Sequence, residues 1–146
     1  MVSAVRALRR QYSSAQVVIT GHSLGGAMAA LAAVGFVSYE NIPVSRVYTF
    51  GQPRTGNQAF SDFVRNIVPN FYRITNNQDL VVHSPPRWTG FYHVRREIYY
   101  WTSNGYRACD QSGEDSNCAN QWNMAWQWSV DDHLNYLGYP IGSDAC

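Results

Sequence analysis

The sequence predicts an α/β protein, a mostly parallel sheet with helices on its faces. Three observations carry this. Strand-like apolar runs alternate with helical stretches through the first half of the chain. A tight turn, Gly21-His22-Ser23-Leu24-Gly25-Gly26, joins the first such run to an alanine-rich helix. The composition, 45% hydrophobic and 14% charged, suits a packed core and argues against a disordered polar tail.

The elements follow in order. Val2, Val5, Leu8 and Tyr12 recur at helical spacing, so the chain opens on an amphipathic helix. Arg6, Arg9 and Arg10 lie off that stripe and read as its solvated face. Gln16 to Thr20 (QVVIT) reads as a buried strand, because Val-Val-Ile suits a pleated, packed surface. After the glycine turn, AMAALAAVGFV reads as a helix. Ser45 to Phe50 is a second strand, and Asn57 to Val68 a helix with Phe60, Phe63, Val64 and Ile67 on one stripe. Phe71 to Thr75 is a third strand. Pro85-Pro86 makes HSPPRWTG a loop, Arg96 to Trp101 reads as another strand, and Thr102 to Asn120 as loop. Asp131 to Leu137 reads as a short helix ended by Gly138-Tyr139-Pro140.

Composition excludes several functions. All 11 basic residues are arginine; with 10 acids the net charge is +1, so nothing suggests a nucleic-acid partner. The longest apolar run, Ala27 to Val37, is too short to span a bilayer. MVSAVRALRRQ has neither the apolar core nor the cleavage site of a secretory signal. No Cys/His spacing suggests zinc, no carboxylate cluster suggests calcium and no phosphate cradle is present, so no metal or cofactor is expected. Three cysteines leave one over. Cys109 and Cys118 enclose a polar loop and could bridge locally, whereas Cys146 has no neighbour in sequence.

Gly21-His22-Ser23-Leu24-Gly25 matches G-x-S-x-G. In that motif a sharp strand-to-helix turn exposes the serine hydroxyl, and the N–H of the following residue, here Leu24, can donate to an oxyanion. The motif alone would arise by chance in about one chain of this length in twenty, so its strand-turn-helix context is what makes it informative. A nucleophilic serine needs a base, and the base an orienting carboxylate. Of the four histidines, His22 is read as pointing away from Ser23, while His83 and His93 sit by the proline loop. His133 comes last, at a loop-to-helix junction, which fits the order Ser…Asp…His. Asp79 follows the third strand in a polar turn, where an acid at a strand's carboxyl end belongs. Asp62, Asp110, Glu114 and Asp115 read as surface or loop acids, Asp131 and Asp132 as caps or surface charges. Trp122, Trp126 and Trp128 either line a groove or pack as core and rim.

The stretches VVITGHSLGGAMAAL, VYTFGQPRTGNQAF, FYRITNNQDLVVHSPP, GFYHVRREIYY and DHLNYLG, running from about Val17 to the end, resemble the C-terminal half of fungal class 3 lipases, a group that includes type A feruloyl esterases. The resemblance implies an α/β-hydrolase fold in one domain over residues 1–146, without its N-terminal portion, and a carboxylic-ester hydrolase acting on acylglycerols. It places the nucleophile at Ser23, the acid at Asp79, the base at His133 and an oxyanion donor at Leu24. Val81, Val82 and Leu134 flank the acid and base and are expected to wall the substrate pocket. Val82 departs from the family's usual proline. The resemblance also implies a local Cys109–Cys118 bridge, known on the feruloyl esterase side. It gives Cys146 a partner near a mature N-terminus, with the second oxyanion donor and the lid lying upstream. Secretion and a lipid–water interface follow from the same resemblance. Two rival expectations stand beside it: a feruloyl or other plant cell-wall esterase, and a non-catalytic relic that folds poorly and hydrolyses little alone.

Overall fold

The computed structural model describes residues 1–101 and 105–141. Cys146, with its expected pairing, lies outside them. Helix α1 (Val2–Gln11) leads into β1 (Val18–His22), α2 (Leu24–Ser38), β2 (Arg46–Phe50), α3 (Gln58–Ile67), β3 (Phe71–Asn76), β4 (Glu97–Trp101) and β5 (Gly105–Ala108). The strands form one sheet in the order β1-β2-β3-β4-β5; the first four are parallel and β5 is antiparallel to β4. A one-turn helix α4 (Val130–His133) and a hairpin of β6 (Asn135–Tyr136) and β7 (Tyr139–Pro140) follow.

Burial alternates along β2 and β3 because helices cover one face of the sheet. Val47 and Phe71 turn to that face and pack with Ala29, Ala30 and Ala33 of α2 and with Val64 and Val68 at α3. Small side chains on α2 let the helix lie close to the strands. Tyr48 and Tyr72 face the other way and stack with ring centroids 5.6 Å apart.

Several expectations need correction. The first strand begins at Val18 and, among the described residues, is the edge of the sheet; Val18 is 50% exposed, so its apolar run is not buried. Helix α1 forms as read, yet Leu8 and Tyr12 of its apolar stripe stay 54% and 55% exposed. Its polar face is not simply solvated, since Arg6 pairs with Glu40 at 2.7 Å, an exposed contact of small energetic weight. Strand β5 lies in a stretch read as loop; Gly-Tyr-Arg-Ala has no alternating apolar face, and its strand character comes from pairing Ile98↔Ala108 and Tyr100↔Tyr106. The last helix stops at His133 rather than Leu137. Leu137 and Gly138 take positive φ (56° and 81°) and reverse the chain into the hairpin.

Two ion pairs fasten the second half of the chain. Arg73, wholly buried in β3, donates from Nη2 to Glu97 Oε2 (3.0 Å) and to the Gly113 carbonyl (3.1 Å), and from Nε to the Val94 carbonyl (3.1 Å). Glu97 Oε1 accepts from Thr75 Oγ1 (2.6 Å) and the Ala119 N–H (3.1 Å). Arg54 grips Glu114 bidentately (2.9 Å and 2.9 Å) and donates from Nη1 to the carbonyls of His83 and Pro85. Glu114 is therefore a buried structural partner and not a surface acid. Cys109 and Cys118 form a disulfide. Among the described residues, the one cluster with metal-ligating chemistry is Glu97, Cys109 and Cys118, and its two sulfurs are bonded to each other. No helix among the described residues is long and apolar enough to cross a membrane.

Acid should loosen this region first. Burial, and then the nearby Arg54 charge, lower the His83 pKa to about 4. Below the ordinary value of 6.5, the unfolded chain takes up a proton that folded His83 does not, so stability falls from pH 6.5 down to about 4 and then levels. Burial pushes the Glu114 carboxyl up, but the Arg54 hydrogen bonds and charge outweigh it and hold the group well below the carboxylate range. Its contribution is present above the ordinary 4.5 and is lost as pH falls toward its folded value. Melting temperature should decline from pH 6.5 to 4, and His83→Gln should flatten that decline while lowering stability at neutral pH. Parallel profiles for the two proteins would refute the assignment to His83.

Candidate active site

Ser23 sits between β1 and α2 with φ 58° and ψ −131°, a conformation costly for a residue with a Cβ. The surrounding glycines make the turn possible. A Cβ on Gly21 would lie 2.1 Å from the Gly25 carbonyl oxygen, so strand and helix could not approach. A Cβ on Gly26 would meet the Gln52 side chain at 3.0 Å. Ser23 N–H donates to the Phe50 carbonyl (2.9 Å), tying the turn to β2. Leu24 opens α2, where a backbone N–H has no intrahelical acceptor.

Asp79 lies just past the end of β3 and is fully buried. His133 ends α4, whose cap is the Ser129 hydroxyl accepting from the Asp132 N–H (3.0 Å). The fold brings these groups into line. His133 Nδ1 is 2.9 Å and 3.0 Å from the two Asp79 oxygens, and Nε2 is 2.8 Å from Ser23 Oγ. The carboxylate accepts, so Nδ1 carries the hydrogen and Nε2 is left to accept from the serine hydroxyl. Asp79 Oδ1 also accepts from the Val81 N–H (2.8 Å), and Oδ2 from the Tyr136 hydroxyl (2.5 Å). Burial, and then the Asp79 charge, raise the Tyr136 pKa well above its ordinary value, so this phenol stays a donor.

His22 does not point away. The strain begins one residue later, and the His22 ring stacks on His133 with centroids 4.6 Å apart. Its Nε2 lies 2.8 Å from the His133 carbonyl, to which only an N–H can donate. His93 is buried and donates from Nε2 to the Val82 carbonyl (2.7 Å), and His83 stacks flat on Trp128 at 4.7 Å. Neither reaches Ser23.

The turn Asn76-Asn77-Gln78 is more than a polar connector. Asn76 Nδ2 donates to the carbonyls of Asp132 (3.0 Å) and Asn135 (2.7 Å); Asn77 Nδ2 (3.0 Å) and the Gln78 N–H (3.1 Å) donate to Asp132 Oδ2. Asp132, read as cap or surface charge, is thus the acceptor that clamps the His133 loop onto the Asp79 turn. Val82 also departs from expectation. It is 1% exposed and packs inward with Tyr99, Cys118 and Ala119, because the turn at Val81–His83 sends it into this small core. Val81 is half-buried and Leu134 is 41% exposed beside the site. Trp122 and Trp128 brace the loop: Trp122 Nε1 donates to the Tyr99 hydroxyl (2.9 Å) and Trp128 Nε1 to the Trp122 carbonyl (2.8 Å). Trp126 is 81% exposed.

Sequence reasoning missed Tyr136, Asn76, Asn77 and Gly51. Gly51 follows β2 with φ +58°, and a Cβ there would lie 2.7 Å from Asp79 Oδ2 and 2.9 Å from His133 Nδ1. The only available hint was a glycine directly after a strand in Phe50-Gly51-Gln52-Pro53. Gly51→Ala should push the acid and base apart and lower ester turnover about 10²-fold, a loss typical of reacting groups displaced by 1 Å. A variant that melts as a folded protein and turns over at the parental rate would refute this.

A parallel sheet carrying a strained serine turn, with acid and histidine on loops at the carboxyl ends of its strands, is the α/β-hydrolase fold. The chain belongs to the class 3 lipase family, whose model matches residues 1–88. It is 38% identical over 148 residues to a lipase of Rhizomucor miehei, covering 97% of this chain and 40% of that protein. It is 31% identical to a secreted mono- and diacylglycerol lipase of Malassezia globosa, covering 97% and 47%. Among solved structures, the Rhizomucor miehei lipase in its propeptide complex superposes with a TM-score of 0.84 at 36% identity, covering 97% of this chain and 46% of that one. A triacylglycerol lipase described as having a serine protease triad at its catalytic centre gives 0.83 at 37% identity, covering 97% and 55%. The chain thus spans less than half the length of these two curated relatives.

Proposed function

We propose that the protein is a serine carboxylic-ester hydrolase acting on acylglycerols. The observation that carries this is the unbroken hydrogen-bonded line from Ser23 Oγ through His133 to Asp79. Ser23 attacks the ester carbonyl while His133 Nε2 takes its proton, and Asp79 holds the imidazole and stabilises its charged form. The Leu24 N–H donates to the tetrahedral oxyanion. His133 returns the proton to the departing alcohol, and water repeats the sequence on the acyl-enzyme to release the acid. Val81 and Leu134 border the acyl chain. Trp88 and Trp126, 86% and 81% exposed, suit insertion at a lipid–water interface. The disulfide and the relatives named as secreted support an extracellular setting.

One observation favours a second reading, an esterase for plant cell-wall phenolic esters: the Cys109–Cys118 bridge resembles one on the feruloyl esterase side of the family. Reaction with a p-nitrophenyl alkylphosphonate tests the shared chemistry. It should add one phosphonyl group on the peptide containing Ser23, and labelling elsewhere or none would sink the proposal. Tributyrin against methyl ferulate separates the readings; the first predicts a strong preference for tributyrin.

A further inference from the structure

Apart from the Ser23 site, a recess of about 320 Å³ opens where β4 and β5 meet the loop after the disulfide. That volume lies at the small end of ligand pockets, enough for one ring. One wall is aromatic. The Tyr99 and Trp101 rings stack with centroids 6.0 Å apart, and Trp122 is fixed to Tyr99 through its indole N–H (2.9 Å). Arg107 lies over the Trp101 ring, 5.8 Å from its centroid, and donates from Nη1 to the Asn117 carbonyl (3.1 Å).

The rest of the lining is amide: Asn77, Asn117 and Gln121. All three are fixed in the same sense. Asn77 Nδ2 donates to the Asp132 carboxylate (3.0 Å), Asn117 Nδ2 to the Asp115 carboxylate (3.3 Å) and Gln121 Nε2 to the Cys118 carbonyl (3.1 Å). Each partner can only accept, which identifies the amide nitrogen and turns the amide oxygen the other way. None of the three amide oxygens receives a hydrogen bond from a described residue.

The recess therefore offers three acceptors, one guanidinium and flat aromatic surface, with no carboxylate and no aliphatic side chain in its lining. Three free acceptors call for several O–H donors. A carboxylate or phosphate has none, an acyl tail would leave the amide oxygens dry and unpaired, and a hard cation would want carboxylates. A ring with hydroxyls around its rim and C–H bonds on its faces meets every wall. We propose that this recess is a saccharide subsite. It takes one pyranose ring of a polysaccharide, stacked on the aromatic wall, with hydroxyls donating to Asn77, Asn117 and Gln121 and an ether oxygen accepting from Arg107. Asn77 holds Asp132 with its other end, so the subsite lies on the same rim as the His133 loop. The proposal stands independently of the ester chemistry.

The test is titration of the whole chain with xylotetraose, cellotetraose and mannotetraose, read by calorimetry and tryptophan fluorescence. At least one should bind with a Kd of order 1 mM. Asn117→Ala and Gln121→Ala, at exposed positions where the melt should be unchanged, should each weaken binding about fivefold, and Trp101→Ala should abolish it. Three results would overturn the proposal: no binding of any sugar at about 50 mM, binding that all three variants leave intact, or binding only to vesicles of digalactosyl diacylglycerol and not to soluble sugars.

Discussion

Asp79→Asn should lower ester turnover by about 10⁴-fold while leaving the fold in place. An amide at this position offers an N–H where His133 Nδ1 now donates, at 2.9 Å and 3.0 Å. The imidazole then gains by carrying its hydrogen on Nε2, which lies 2.8 Å from Ser23 Oγ. In that form it cannot take the serine proton. Tyr136 can still donate to the remaining carbonyl oxygen, so the buried position keeps a partner. The loss should fall on kcat with KM little changed, because the group acts on charge that develops only during reaction. Adding Ser23→Ala should make the double variant no slower than Ser23→Ala alone, since residues acting as one unit do not add. Full turnover by Asp79→Asn would refute the role given to the acid, and additive losses would refute the single unit.

Arg73→Met should destabilise the protein by about 3–5 kcal/mol, the usual cost of leaving one half of a buried ion pair unpaired. For a chain of this size, that lowers the melting temperature by roughly 10 °C or more. The guanidinium serves Glu97, Val94 and Gly113 at once and so joins β3, β4 and the disulfide loop. Replacing both charges, as Arg73→Met with Glu97→Leu, should recover only part of the loss, because Thr75 and the Ala119 N–H also depend on Glu97. Denaturant melts of the three variants check this. A loss below about 1 kcal/mol for Arg73→Met would show that the pair only offsets its own desolvation.

Much of this molecule was legible because its signals are local. The Val-Val-Ile run, the glycines around Ser23 and the alanines of α2 each state their backbone preference within a few residues. The helix over Gln58–Ile67 was legible from its apolar stripe and its start at Asn57, whose side chain accepts from the Phe60 N–H (2.9 Å). Chain order, with the position of Asp79 after a strand and of His133 at a helix end, selected the two residues that the fold sets against Ser23. The stripe on α1 was equally legible as a helix, but not the exposure of Leu8 and Tyr12, since helical spacing does not say what lies opposite.

By itself, then, the sequence determined which segments become strand or helix and which residue types could carry nucleophilic chemistry, because propensity, periodicity and turn chemistry act over one or two turns of chain. Tertiary structure alone decided the rest. Tyr136 meets Asp79 across 57 positions, Arg54 meets Glu114 across 60, and Arg73 meets Glu97 across 24. Gly51 is required only because two side chains from distant segments converge where its Cβ would be. Strand β5 exists because β4 offers it a ladder, and Val82 faces inward because a core forms behind it. Each depends on distances that exist only once the sheet has assembled, and no local pattern encodes a distance across the fold.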